Sequence, residues 1–238
     1  MSHQGHSRAN GRNVWLSAVR NSRVLPIPCL TLITDRRLCE RLSLEEAVAR
    51  AVAGGVNAVQ LREKDLAAAQ LVPLADRLRA VTRGKALLIV NSRLDVALLC
   101  SADGVHLPEK GPSVAATRRL AGDGLIIGRS VHSVEEAVKA EEEGADYVQV
   151  GAIFPTRSHP GPAAGLGLLE SVAARVAIPI VAVGGITARN VGEVMQAGAR
   201  GAAVISAILD SPSPTKSGRR LAEAMVEAAA VSARRTRS

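Results

Sequence analysis

Eight short apolar runs punctuate the chain, at residues 30–34, 58–61, 86–90, 104–106, 126–128, 147–150, 180–183 and 202–205. Each is a handful of Val, Ile, Leu and Ala residues bounded by turn-forming side chains, the pattern of buried strands. Between them lie longer mixed stretches at 43–53, 66–82, 94–100, 114–120, 133–143, 168–176 and 190–197 that read as helices. Three of these open with capping-box spacing, Ser43 with Glu46, Ser133 with Glu136 and Asn190 with Glu193, which predicts where the helices start. A local phrase recurs in which a helix-ending glycine leads within a few residues into a strand: Gly54-Gly55-Val56-Asn57, Ala102-Asp103-Gly104-Val105, Gly144-Ala145-Asp146-Tyr147 and Gly198-Ala199-Arg200-Gly201. One supersecondary unit is being reused.

Buried parallel strands need helical crossovers, and eight such units in about 200 residues predict a single closed (β/α)8 TIM barrel rather than an open doubly wound sheet. A last helix, over 217–231, is expected to cover the outside. The domain plan that follows is a disordered, basic N-terminal extension over 1–25, the barrel over 26–233, and a basic tail over 234–238.

Composition narrows the picture. The chain has 238 residues, 47% apolar and 22% charged, which excludes a disordered chain and a disulfide-stapled miniature scaffold. No apolar run approaches the roughly 20 residues needed to span a bilayer, and residues 1–25 lack a secretion-type apolar stretch. A soluble, cytoplasmic protein without membrane contact is therefore expected. Cys29, Cys39 and Cys100 form no Cys-x-x-Cys pair and are expected to be reduced core thiols. The net charge of +8 invites a nucleic-acid reading until its placement is considered. Arg8, Arg12, Arg20, Arg23, Arg234, Arg235 and Arg237 carry most of the excess at the two ends, and Trp15, Tyr147 and Phe154 are the only aromatic residues. A stacking platform for bases is absent, so no nucleic-acid partner is expected.

In a barrel of this kind the site lies at the carboxyl ends of the strands. The residues just past each run are polar: Gln60, Arg62, Glu63 and Lys64; Asn91; His106 and Glu109; Ser130 and His132; Thr156, Arg157, Ser158 and His159; Gly184-Gly185-Ile186; and Ile205-Ser206. The glycine pair, with Ser206 on the adjacent strand, offers backbone N–H groups to a phosphate; a simple tight turn is the alternative. Arg62 and Lys64, two apart in extended chain, project to one side and would hold a second anion, with Glu63 pairing to a neighbouring cation; a solvated charged loop is the alternative. His132, at a helix start, is the candidate for proton transfer, or else it fills space beside Ser133. His106, ending an apolar strand, is expected to be a hydrogen-bonded core residue.

These segments, in this order, resemble the thiamin phosphate synthase and TenI family. The match runs from about Cys29 to Leu209 and rests on Gln60-Leu61-Arg62-Glu63-Lys64, Val90-Asn91, Ala102-Asp103-Gly104-Val105-His106, Gly128-Arg129-Ser130-Val131-His132-Ser133, Gly151-Ala152-Ile153-Phe154-Pro155-Thr156, Val183-Gly184-Gly185-Ile186-Thr187 and Ile205-Ser206-Ala207-Ile208. The resemblance implies a (β/α)8 barrel and one of two activities in thiamin biosynthesis. The synthase joins hydroxymethylpyrimidine diphosphate to thiazole phosphate by a dissociative, carbocation-like step and releases diphosphate with Mg²⁺. The TenI-type tautomerase moves a proton on thiazole carboxylate phosphate and needs no cofactor.

By resemblance, Gln60, Arg62, Lys64, Asn91 and Ser130 contact the pyrimidine diphosphate or a substrate carboxylate. Thr156, Ser158, Gly184, Gly185, Ile205 and Ser206 contact the thiazole phosphate, and His132 is the acid and base of a tautomerase. The synthase pattern carries aspartates where this chain has Ser92 and Gly111, and a lysine at His159. No metal site is therefore expected, although Glu109 could replace one aspartate, and Lys110 with Arg62 and Lys64 could neutralise a leaving group. On this balance the tautomerase is slightly favoured over the synthase. A sugar-phosphate barrel of another reaction class and a non-catalytic phosphate-binding barrel remain alternatives, and a homodimer stays open.

Overall fold

The computed structural model describes residues 24–156 and 161–235. Its eight strands are β1 (Cys29–Ile33), β2 (Ala58–Leu61), β3 (Leu87–Asn91), β4 (Gly104–Leu107), β5 (Ile126–Val131), β6 (Tyr147–Val150), β7 (Ile180–Val183) and β8 (Gly201–Val204). They run parallel in sequence order, and β8 closes on β1 with Gly201 opposite Cys29 and Val204 opposite Leu32. The helices are α1 (Leu44–Ala53), α2 (Ala68–Thr82), α3 (Leu94–Leu99), α4 (Val114–Ala121), α5 (Val134–Glu142), α6 (Gly165–Ala173), α7 (Val191–Gln196), α8 (Ser206–Leu209) and α9 (Pro214–Arg235). The expected TIM barrel is what the chain forms. Among the described residues no helix is long and apolar enough to cross a membrane.

Strand periodicity of two sorts the side chains into two layers. Leu30, Leu32, Leu88 and Val90 face outward into the strand–helix core. Cys29, Ile33, Leu87, Ile89, Tyr147 and Val181 face the barrel axis. Tyr147 fills the space opposite Gly128, where a Cβ would come within 2.1 Å of the tyrosine ring. The three cysteines are free, and burial pushes the Cys29 thiol up to about 12.

The recurring phrase has a physical explanation. Its polar residue, just before an even-numbered strand, accepts a hydrogen bond from the backbone of the preceding strand. Leu30 N–H donates to Asn57 Oδ1 (2.8 Å), Leu88 N–H to Asp103 Oδ2 (2.7 Å) and Ile127 N–H to Asp146 Oδ2 (2.6 Å). Each strand start is thereby locked to its neighbour, satisfying a backbone donor that would otherwise be buried unpaired. Arg79 and Arg118 pair with Asp103 and Asp146 from the flanking helices. In the fourth copy Arg200 stands at the polar position and joins the preceding strand through its backbone, Arg200 N–H donating to Ile180 O at 2.8 Å.

Several boundaries differ from the sequence expectation. Leu25, assigned to the extension, is 3% exposed and packs in the inner barrel cluster. Its apolar side chain is what the amino-terminal end of the barrel needs to exclude water. The last helix begins at Pro214 and continues to Arg235, so Arg234 and Arg235 lie on it rather than in a separate tail. β5 extends to Val131 and takes in Arg129 and Ser130. The Ser43 and Ser133 caps form as expected, each accepting from the N–H three residues on at 3.2 Å. Asn190 does not cap α7 with its side chain. It accepts from Thr187 N–H (2.8 Å) and donates to Gly185 O (3.1 Å), bracing the turn after β7 instead.

Candidate active site

The inward positions of the strands change from apolar to polar at their carboxyl ends. Gln60, Asn91, His106, Ser130 and Gln149 sit at or next to the last inward position of β2 to β6, and with Arg62, Lys64, Glu109, Lys110 and His132 they line one cleft of about 340 Å3. That volume suits a small ligand. Gly151, Ala152, Thr156, Gly184 and Ile205 line the opposite side.

An amide chain crosses the floor. Gln149 Nε2 donates to Gln60 Oε1 (3.3 Å), Gln60 Nε2 to Asn91 Oδ1 (3.1 Å), and Asn91 Nδ2 to Ser92 Oγ (2.9 Å). Gln60 and Gln149 are 1% and 5% exposed, so these bonds supply partners that water cannot. Gln149 was missed from sequence. The clue was available, a single amide inside the apolar run Tyr147-Val148-Gln149-Val150.

His106 is a core residue, as expected. Its Nδ1 meets Tyr147 Oη (3.1 Å) and its Nε2 meets Ser130 Oγ (2.8 Å). Burial, with the charges of Arg129 and Arg62 adding to it, lowers its pKa to about 3, so the ring is neutral and holds Ser130 in place. Burial likewise pushes the Tyr147 phenol upward.

The segment after β2 alternates as predicted. Arg62 and Lys64 line the cleft, while Glu63 is buried on the other side, accepting from Arg36 N–H (3.1 Å) and Arg36 Nη1 (2.9 Å). Arg62 is half-buried, and its pKa is lowered chiefly by that burial. Lys64 is lowered chiefly by the charge of Arg62.

His132 follows β5 and precedes the Ser133 cap of α5. Its backbone N–H donates to Glu136 Oε2 (2.7 Å), and Nδ1 lies 2.5 Å from Gly151 O, to which it must donate. That leaves Nε2 on the cleft side, 3.5 Å from Glu109 Oε2. Glu109 and Lys110 ride on a tight turn in which Gly111 N–H donates to Pro108 O (2.8 Å). Arg129 pins this turn through bonds to Glu109 O and Pro112 O, both 2.7 Å.

Gly184 and Gly185 have φ of 98° and 64°, and a Cβ on either would approach Ala152 or Phe154 at 2.5 and 2.7 Å. Only glycine fits this close turn. Gly184 and Ile205 line the cleft; Gly185 and Ser206 each lie one residue further along, Ser206 opening α8. Ser158 and His159 lie outside the described residues.

The positions with missing aspartates are defined. Ser92 has φ of 65° and its hydroxyl accepts from Asn91. A Cβ on Gly111 would meet Pro108 O at 2.9 Å and Pro108 Cδ at 3.0 Å, so the turn does not admit an aspartate as it stands. Among the described residues Glu109 is the one carboxylate on the cleft lining, and no group of three or more His, Cys, Asp or Glu side chains has metal-binding proximity.

A family profile described as thiamine monophosphate synthase matches residues 30–208. A thiamine-phosphate synthase of Methanospirillum hungatei is 46% identical over 200 residues, covering 83% of this chain and 97% of that protein. One of Roseiflexus castenholzii is 44% identical over 195 residues, covering 81% and 86%. Among solved structures, a thiamine phosphate pyrophosphorylase from Pyrococcus furiosus is similar with a TM-score of 0.77 and 38% identity, covering 84% of this chain and 96% of that one.

Proposed function

The chain belongs to the thiamine monophosphate synthase family, and on that premise we propose that it joins hydroxymethylpyrimidine diphosphate to thiazole phosphate and releases diphosphate. The tautomerase, slightly favoured from sequence alone, gives way to this reading because the relatives carry the synthase name. The observation that carries it is the β2 side of the cleft. Arg62, Lys64, Gln60 and Asn91 together offer two adjacent cations and a paired amide floor, a set suited to a diphosphate and a heterocycle that a proton shift on a thiazole does not require.

The residues divide the work by position. Gln60 and Asn91, already fixed by Gln149 and Ser92, present amide groups to the pyrimidine. Arg62 and Lys64 hold the diphosphate as a fork and a point charge. Ser130, held by His106, adds a hydroxyl. Across the cleft, Thr156, the Gly184-Gly185 backbone and the start of α8 at Ser206 receive the thiazole phosphate. Holding both substrates in line converts a two-body encounter into a positioned displacement.

The resemblance implies Mg²⁺ for this reaction, and the donors present do not fit that ion. Mg²⁺ seeks carboxylate oxygens in octahedral geometry. Ser92 and Gly111 supply none, and Glu109 is turned to His132 with Lys110 beside it.

Incubating the purified protein with both substrates, with and without Mg²⁺, is expected to yield thiamin phosphate and diphosphate. No thiamin phosphate under either condition, with thiazole carboxylate phosphate still tautomerised, would overturn the proposal.

A further inference from the structure

Resting on the coupling reaction, we propose that the departing diphosphate is neutralised by this chain's own Arg62, Lys64 and Lys110 in place of a divalent cation. In the step, the bond between the pyrimidine methylene carbon and the diphosphate oxygen breaks, its electron pair going to that oxygen. The lone pair of the thiazole nitrogen forms the new C–N bond. Negative charge therefore gathers on the leaving oxygen, and groups that meet it must be cationic and held in place beforehand.

Two loops, those after β2 and β4, supply this. The alternation after β2 aims Arg62 and Lys64 into the cleft while Glu63 is held by Arg36 on the far side, so the intervening carboxylate is ion-paired to Arg36 and not to either of them. Among the described residues the Arg62 guanidinium makes no hydrogen bond, although the residue is half-buried. The carboxylates that act on it, Asp35 and Glu63, are hydrogen-bonded to Arg37 and Arg36 instead, which leaves its fork of donors to an anionic ligand. Lys64 feels the charge of Arg62, a repulsion that a bound polyanion reverses. In the loop after β4 the turn carrying Lys110, which lines the same cleft, is closed by Gly111 and clamped by Arg129. Its geometry excludes a side chain at position 111, where the synthase pattern has a metal ligand, and presents a lysine instead.

The test is titration of inorganic diphosphate into chelator-treated protein, followed by calorimetry, in parallel with the coupling assay. Diphosphate is expected to bind with an affinity within about threefold with and without Mg²⁺. Lys64→Ala and Lys110→Ala, both in exposed segments, are each expected to weaken it by about tenfold or more in chelator, the loss of a charge-assisted contact. Thiamin phosphate formation should persist in chelator within about fivefold. Diphosphate binding that requires Mg²⁺, or full affinity in both variants, overturns the inference. Thiamin phosphate made only with Mg²⁺ overturns it while leaving the coupling reaction standing. If no thiamin phosphate forms under either condition the coupling reading fails, and the titration still decides whether these cations hold diphosphate without metal.

Discussion

At the scale of single residues, His106 shows how burial converts a titratable group into a fixed one. Its folded pKa is about 3, whereas an unfolded histidine titrates near 6.5. Between those values the unfolded chain binds a proton that the folded one refuses, so stability falls as pH drops from about 6.5 towards 3. The slope contributed is roughly 1 kcal/mol per pH unit. His106→Gln should lose stability at pH 7 through altered bonds to Tyr147 and Ser130 yet show a shallower decline between pH 6.5 and 4.5. Urea titrations at several pH values check this, and equal slopes in the two proteins would refute it. That His106 is a hydrogen-bonded core residue was legible because it ends an apolar run, whereas His132 precedes a capping serine and lies on the cleft lining. The sequence marked Gln149 only as a lone amide in an apolar run and did not reveal its partner Gln60, 89 residues away, because such a contact has no local signature.

Among the elements, two serine caps of equal geometry sit in different settings. Ser43 starts α1 and Ser133 starts α5, each accepting at 3.2 Å. Replacing either by alanine should cost about 1 kcal/mol, read as a lower urea midpoint. Ser133→Ala should in addition lower turnover severalfold, because the preceding residue, His132, lines the substrate cleft and its N–H is anchored by Glu136 of that helix start, so loosening the cap deforms the cleft wall. Ser43→Ala should leave turnover unchanged within twofold. Equal turnover in the two variants would mean that the α5 start does not position His132. Caps of this kind are legible because the interaction spans three residues. Asn190 carried the same spacing, yet its amide is taken by Thr187 and Gly185, a competition decided by the shape of the turn after β7.

For the molecule as a whole, α9 spans α1 and α7 and helps close the helical ring, burying Leu221 and Met225 at 1% exposure each. Leu221→Ala should lower stability by about 2–5 kcal/mol, the usual range for a core truncation. The barrel should still unfold in one transition with turnover per folded molecule intact. A loss under about 0.5 kcal/mol would show that α9 is not an integral part of the core. The sequence by itself determined the barrel, because strand and helix periodicity are local and eight repeats of one unit admit few arrangements. It also determined which strand ends carry polar side chains, and through its motifs the family. Tertiary structure decided what those side chains meet: the Gln149–Gln60–Asn91 floor, the Tyr147–His106–Ser130 hydrogen-bond chain, the His132–Glu109 approach, and a turn at Gly111 with no room for an aspartate. Only barrel closure sets these distances, since it brings together strand ends far apart in the chain and aims alternate side chains at one axis.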